Sequence, residues 1–159
     1  MALERYQATI AKYAAEFGVP VTWIQAVIMT ESSGRSGAYR AEPRINDASY
    51  GLMQLLARTA RGLGYQGPPE GLYDPDTNIR LGTLLLRQLR DRFGDDFSAV
   101  YSAYNSGSPT KWTTSAQVRQ HVENARRWLQ HFRGPVARQL GRRRGASRRR
   151  GGLVADDGA

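Results

Sequence analysis

Hydrophobic positions along the chain recur mainly at helical spacing. Leu3, Tyr6, Ile10, Tyr13, Ala14 and Phe17 form one stripe and predict an amphipathic helix over residues 3–17. Gly18 stops it, Val19-Pro20 breaks the chain, and Pro20 suits the start of a second helix running to about Ser32. Residues 34–50 lose the period and turn polar, which predicts an irregular connection that is functional or partly strand-like. Gly51 opens a third helical stretch, Leu52 to Arg61, closed by Gly62 and Gly64. Asp76 reads as the N-cap of a fourth helix from Thr77 to Phe93, with Ile79, Gly82, Leu86, Leu89 and Phe93 facing inward. Phe97, Val100, Tyr101 and Tyr104 stripe a short fifth helix that breaks at Asn105-Ser106-Gly107-Ser108-Pro109. Ser115 caps a sixth, whose Val118, Val122, Ala125, Leu129 and Phe132 point inward. No strand pattern of comparable strength and no internal repeat is present, so the fold class is mostly α.

The pattern fades after Gly134-Pro135. Residues 1–133 are therefore expected to form one domain, and 134–159 a basic, disordered tail. Charge sharpens that division. The chain of 159 residues carries a net charge of +9, and residues 133–150 hold eight arginines and no acid. Such a tail fits contact with anionic lipid or lipopolysaccharide, nonspecific attraction to nucleic acid, or a solvated end that aids solubility; no specific nucleic-acid partner is expected. There is no cysteine, which removes a disulfide framework, a thiolate metal site and a cysteine nucleophile. No metal site and no cofactor are expected. The N-terminus lacks a basic stretch followed by an apolar run, so no signal peptide is read, and no apolar run is long enough to span a bilayer.

One polar residue breaks the apolar logic. Ile24, Val27, Ile28 and Glu31 are spaced i, i+3, i+4, i+7 and share one helix face. A carboxylate on the buried stripe, at the last turn, is desolvated and sits at the negative end of the helix dipole; both raise its pKa. That suits a general acid working near neutral pH, whereas a solvated glutamate at the rim of a core helix would do nothing.

Three short motifs accompany it: Glu31-Ser32-Ser33-Gly34, Ser49-Tyr50-Gly51-Leu52-Met53-Gln54 and Ala103-Tyr104-Asn105-Ser106-Gly107. Each alone is weak; their order and spacing are specific. Together with Thr59-Ala60, Tyr73-Asp74-Pro75 and Asn78-Ile79, they make the chain from about Val19 to Trp128 resemble the soluble lytic transglycosylases and their relatives, the goose-type lysozymes. The resemblance implies a lysozyme-like helical domain acting on peptidoglycan glycan strands. It also implies that Glu31 is the sole catalytic carboxylate. In that family the glutamate protonates the oxygen bridging N-acetylmuramic acid and N-acetylglucosamine. It then serves as base toward the muramic acid 6-hydroxyl, which closes onto C1 to give a 1,6-anhydro product. Ordinary glycosidases need two carboxylates instead. Here Leu56 stands where a goose-type enzyme would carry an acid, and Asp47 is either the missing second acid or a turn-forming residue.

The resemblance assigns the substrate cradle residue by residue. Gln54, with a donor and an acceptor, is the strongest binding candidate. Gly51 lets backbone approach the sugar. Met53 either lines a subsite or packs in the core. Ser49 and Tyr50 either contact sugar or cap and cover the third helix. Tyr104 either bonds Glu31 or the muramic acid, or is a core aromatic like Tyr101; Asn105 either holds the N-acetyl group or caps a helix. One departure stands out: the last helix reads His121-Val122-Glu123-Asn124 where the family begins with tyrosine. His121 either takes that tyrosine's place beside Glu31 or is a surface histidine. The expected function is a monomeric peptidoglycan lytic transglycosylase, with a hydrolysing muramidase on the same fold and a non-catalytic murein-binding module as alternatives. A phage lysis protein or a secretion-associated enzyme, made in the cytoplasm and acting on the wall, is the expected setting.

Overall fold

The computed structural model describes residues 3–149, with side chains described through Gly134. A 3₁₀ turn, Glu4–Tyr6, leads into α1 (Gln7–Phe17), and α2 (Val21–Ser32) follows after Pro20. Next come β1 (Tyr39–Glu42), β2 (Asp47–Tyr50), β3 (Leu55–Leu56), α3 (Ala57–Gly62), α4 (Pro75–Phe93), α5 (Phe97–Ser106) and α6 (Ala116–Arg149). The mostly helical fold is the expected one.

Helix α2 is the centre of the domain. Trp23, Ile24, Ala26, Val27 and Ile28 are all buried, covering more than one face, so the helix must be wrapped rather than laid on a surface. α6 and α1 pack against it, with Val122, Ala125 and Leu129 of α6 in the same core as Ile10 and Tyr13 of α1. Trp23 meets Phe97 of α5 edge to face at 5.4 Å. Polar ties join α1 to α4. The Tyr13 hydroxyl donates to Asp76 at 2.7 Å, and Arg87 and Arg90 donate to the Phe17 and Gly18 carbonyls at the end of α1. The N-cap of α4 is accordingly Asp74, not Asp76: its carboxylate accepts from Thr77 N at 3.0 Å, and Pro75 occupies the first turn.

The expected third helix is shortened from its N-terminal side. Residues 51–54 form a turn, Leu55–Leu56 pair with Tyr50 and Ser49 as an edge strand, and helix begins only at Ala57. Positive φ at Gly51 (77°) and Gln54 (50°) prevents earlier winding. The Asp47 carboxylate then accepts from the backbone of Ala57 and Arg58 and holds the N-terminus of α3. The irregular connection has become a three-stranded antiparallel sheet in the order β1-β2-β3, with Tyr39 opposite Tyr50 and Glu42 opposite Asp47. Asn78 of α4 anchors this sheet from behind. Its Oδ1 accepts from Met53 N at 2.8 Å, and its Nδ2 donates to the Tyr50 and Leu72 carbonyls.

Helix α6 is interrupted at Gly134, which is non-helical (φ 78°, ψ 177°), and its backbone is helical again through Arg149. The expected tail begins at this interruption, and its last part, 150–159, lies outside the described residues.

Candidate active site

Glu31 occupies the last turn of α2, and the chain departs sharply after it. Ser33 caps the helix in the left-handed conformation (φ 55°). The Ser32 hydroxyl donates back to the Ile28 carbonyl and accepts from Gly34 N, which fixes the exit. The exit leads into the β-sheet, so sheet and helices enclose a cleft of about 340 Å³. Thr30 and Glu31 lie on its floor; the sheet side contributes Arg40, Glu42, Ile45, Ser49, Gln54 and Leu56. Tyr104 and Asn105 of α5 and His121 of α6 form the opposite wall.

Glu31 is open to this cleft on one side and enclosed by protein on the others. Burial pushes its carboxyl up to about 7 from the ordinary 4.5, while the Tyr101 hydrogen bond and the Arg40 charge pull it partly back. The partner is the Tyr101 hydroxyl, which donates to Oε1 at 2.7 Å. Tyr101 is fully buried, and its own hydroxyl is held well above the usual tyrosine range by burial and by the facing carboxylate. It therefore stays a proton donor to Glu31 throughout the neutral range.

Tyr104 does not bond Glu31. Its hydroxyl donates 2.5 Å to the Met53 carbonyl, while its ring stacks on Tyr101 at 6.0 Å. The two tyrosines are one helical turn apart on α5. The deeper one reaches the carboxylate and the outer one ties α5 to the turn before β3. His121 reaches the cleft but makes no hydrogen bond to Glu31 among the described residues. Burial and the Arg40 charge lower its pKa, so it is neutral at neutral pH and does not act on Glu31 as a cation.

Ser49, Gln54 and Asn105 join Tyr104 and His121 on the cleft walls. The Gln54 amide donates to the Ala38 and Gly51 carbonyls, so its donor face holds the turn. Its Oε1 accepts from no described residue. Tyr50, Gly51 and Met53 are not brought to the cleft. Tyr50 is wedged edge-on between Tyr39 and Tyr73 at 5.4 and 5.5 Å. Gly51 is required by protein rather than sugar: a Cβ there would meet Asn78 Nδ2 at 2.5 Å and the Leu72 carbonyl at 2.7 Å. Met53 is fully buried against Gly82, where a Cβ would collide with its sulfur. These three shape the wall from behind.

Asp47 lies outside the cleft, and its carboxylate is fully engaged. Burial would raise its pKa, but donors from Arg58, Ala48 and Ala57 and the Arg58 charge hold it below the usual aspartate range. The second carboxylate of the cleft is Glu42, paired with Arg40 at 3.4 Å. Sequence reasoning passed over Arg40 and read Tyr101 only as a core aromatic, whereas its hydroxyl holds Glu31. Arg40 and Glu42 stand two apart on β1, so a strand reading of residues 39–42 would have put them on one face.

Comparison with known proteins gives a consistent picture. The family model described as the transglycosylase SLT domain matches residues 8–126. A transglycosylase of Enterobacteria phage PRD1 is 33% identical over 106 residues, covering 65% of this chain and 36% of the phage protein. Membrane-bound lytic murein transglycosylase C of Histophilus somni is 33% identical over 119 residues, covering 66% of this chain and 31% of its own length. The chain thus spans about a third of these relatives. The structure of the lytic transglycosylase Slt from Pseudomonas aeruginosa, an inactive mutant, superimposes with a TM-score of 0.69 at 26% identity, covering 78% of this chain and 23% of that one.

Proposed function

Because the chain belongs to the transglycosylase SLT domain family, we propose that it is a lytic transglycosylase cutting the bond between N-acetylmuramic acid and N-acetylglucosamine in peptidoglycan. The observation that carries this reading is the state of Glu31: a carboxyl with a pKa near 7, at the floor of an open cleft, held by Tyr101. Below that pKa it is protonated and can give its proton to the departing glycosidic oxygen. Once ionised, it accepts the proton of the muramic acid 6-hydroxyl as that oxygen closes onto C1. No water enters the product. Tyr101 holds one carboxyl oxygen and steadies the ionised intermediate state. Ser49, Gln54 Oε1 and Asn105, which line the cleft, would hold the sugar's N-acetyl and hydroxyl groups. The arginines of 133–150 support contact with an anionic surface, and the expected setting, action on the wall after synthesis in the cytoplasm, is part of the same proposal.

A muramidase is the second reading, and Glu42 is what favours it. This carboxylate lines the Glu31 cleft and would serve as base toward a water. Its pairing with Arg40 argues for the first reading, since the guanidinium sits against a carboxylate oxygen that would have to face the water. The enzymatic reading is tested with purified murein sacculi. The wild type clears them; Glu31→Gln still sediments with them but lowers the clearing rate by about 10²–10⁴-fold. Equal clearing by the two proteins contradicts the assignment of Glu31.

A further inference from the structure

Helix α6 carries a stripe that the proposed chemistry does not use. His121, Asn124, Trp128 and His131 are spaced i, i+3, i+7, i+10 and share one face. His121 lines the Glu31 cleft; the other three line a separate groove of about 450 Å³ between α2 and α6. Met29, Thr30 and Arg127 complete that lining. Thr30, the neighbour of Glu31, borders both spaces, so the groove leads directly away from the catalytic carboxyl along α6. On another side the Glu31 cleft opens into a groove of about 260 Å³ past Asn105, Ser106 and Gln117. Glu31 therefore stands between two continuations of its cleft, not at a closed end.

Trp128 is braced where it lines the α2–α6 groove. Its ring stacks on Phe132 at 6.0 Å, meets His131 edge to face at 5.5 Å and packs against the main core. A ring fixed in this way loses little freedom when a ligand covers it. Its indole N–H donates to no described residue. Asn124 accepts from Gln120 Nε2 at 3.2 Å and keeps its own amide N–H groups. Arg127 is exposed and pairs with no acid among the described residues. An aromatic surface bordered by spare donors matches a pyranose, which has a face of C–H bonds and a rim of hydroxyls.

We infer that the glycan strand runs past Glu31 in both directions, with Trp128 as the platform for the sugars on one side, and is cut in its interior rather than from an end. The inference rests on the proposed substrate. The α2–α6 groove is larger than the Glu31 cleft, so it has room for more than one sugar beyond the bond being broken. Binding there favours strands that continue past Glu31, and each cut releases fragments of several disaccharides.

The test uses the full chain, long glycan strands freed of peptide, and glycan oligosaccharides of graded length. Two readouts are taken: the sizes of the first products released by the wild type, and the affinity of Glu31→Gln for each oligosaccharide. The expected first products are long fragments of mixed size, with disaccharides gathering only late. Affinity is expected to rise with length. Adding Trp128→Ala flattens that rise and weakens binding of the longest oligosaccharide by about tenfold. Arg127→Gln, a surface change that leaves the core intact, weakens it by about threefold. Trp128→Phe keeps a ring against the core and loses less than Trp128→Ala. Disaccharides as the main first product overturn internal cutting. Affinity that ignores length, or a rise untouched by both Trp128→Ala and Arg127→Gln, overturns the platform. If no strand is cut while binding follows length and Trp128, the enzymatic reading falls, internal cutting falls with it, and the platform stands.

Discussion

At the scale of single residues, the proposed chemistry rests on one proton. Folding raises the Glu31 pKa from 4.5 to about 7, so the folded state binds that proton more tightly than the unfolded chain does. Below pH 4.5 both states are protonated and the residue costs nothing. As pH rises from 4.5 to about 7 the unfolded chain ionises first, and stability is progressively lost. Above 7 the loss is complete. Glu31→Gln therefore matches the wild type in denaturant titrations at pH 4 and exceeds it by about 1–3 kcal/mol at pH 8, after allowance for the side open to the cleft. Tyr101→Phe removes the donor that favours the ionised form. The basic limb of its activity profile moves to higher pH, and the rate at the optimum drops; a profile left in place would mean that Tyr101 is only a core aromatic. Glu31 was legible in the sequence because a helix repeats and the residue falls on the repeat. The identity of its partner was not. Tyr101 and Tyr104 lie on the same stripe of α5, and which one reaches the carboxylate depends on how deeply α5 crosses α2, a tertiary quantity.

At the scale of elements, the helices follow from apolar spacing and their stops, while the β-sheet does not. β1 reads Tyr-Arg-Ala-Glu and is largely exposed, so no alternation of buried and open positions announces it. It forms because Asn46 takes the left-handed conformation (φ 50°) before β2, and because Asp47 and Asn78 satisfy the backbone on the far side. The motif around Gly51 misleads for a related reason. Neighbours in sequence are sent to opposite sides by the turn, Gln54 to the cleft and Met53 to the core. Asp47 separates structure from catalysis cleanly. Asp47→Ala removes the donors' acceptor at the start of α3 and lowers stability by about 1–2 kcal/mol in urea titrations. It leaves the chemical form of the murein product unchanged. A switch of product with no loss of stability would restore Asp47 as the second acid.

At the scale of the whole molecule, the arginine cluster and the proposed active site occupy different parts of the chain. The family match ends at residue 126, whereas the eight arginines cluster in 133–150. A chain ending at Arg133 should clear sacculi as the full chain does, yet lose the weak, salt-sensitive binding to DNA and to vesicles containing anionic lipid. Retention of that binding would place the anionic contact on the domain instead.

The central claim is that one carboxyl serves as both acid and base, with no water consumed. Mass spectrometry of the muropeptides released from purified sacculi tests it most directly. The account predicts muramic acid ends carrying the 1,6-anhydro ring, lighter by one water than a reducing end and inert to borohydride. Reducing muramic acid as the main product would contradict it and make Glu42 the partner to examine.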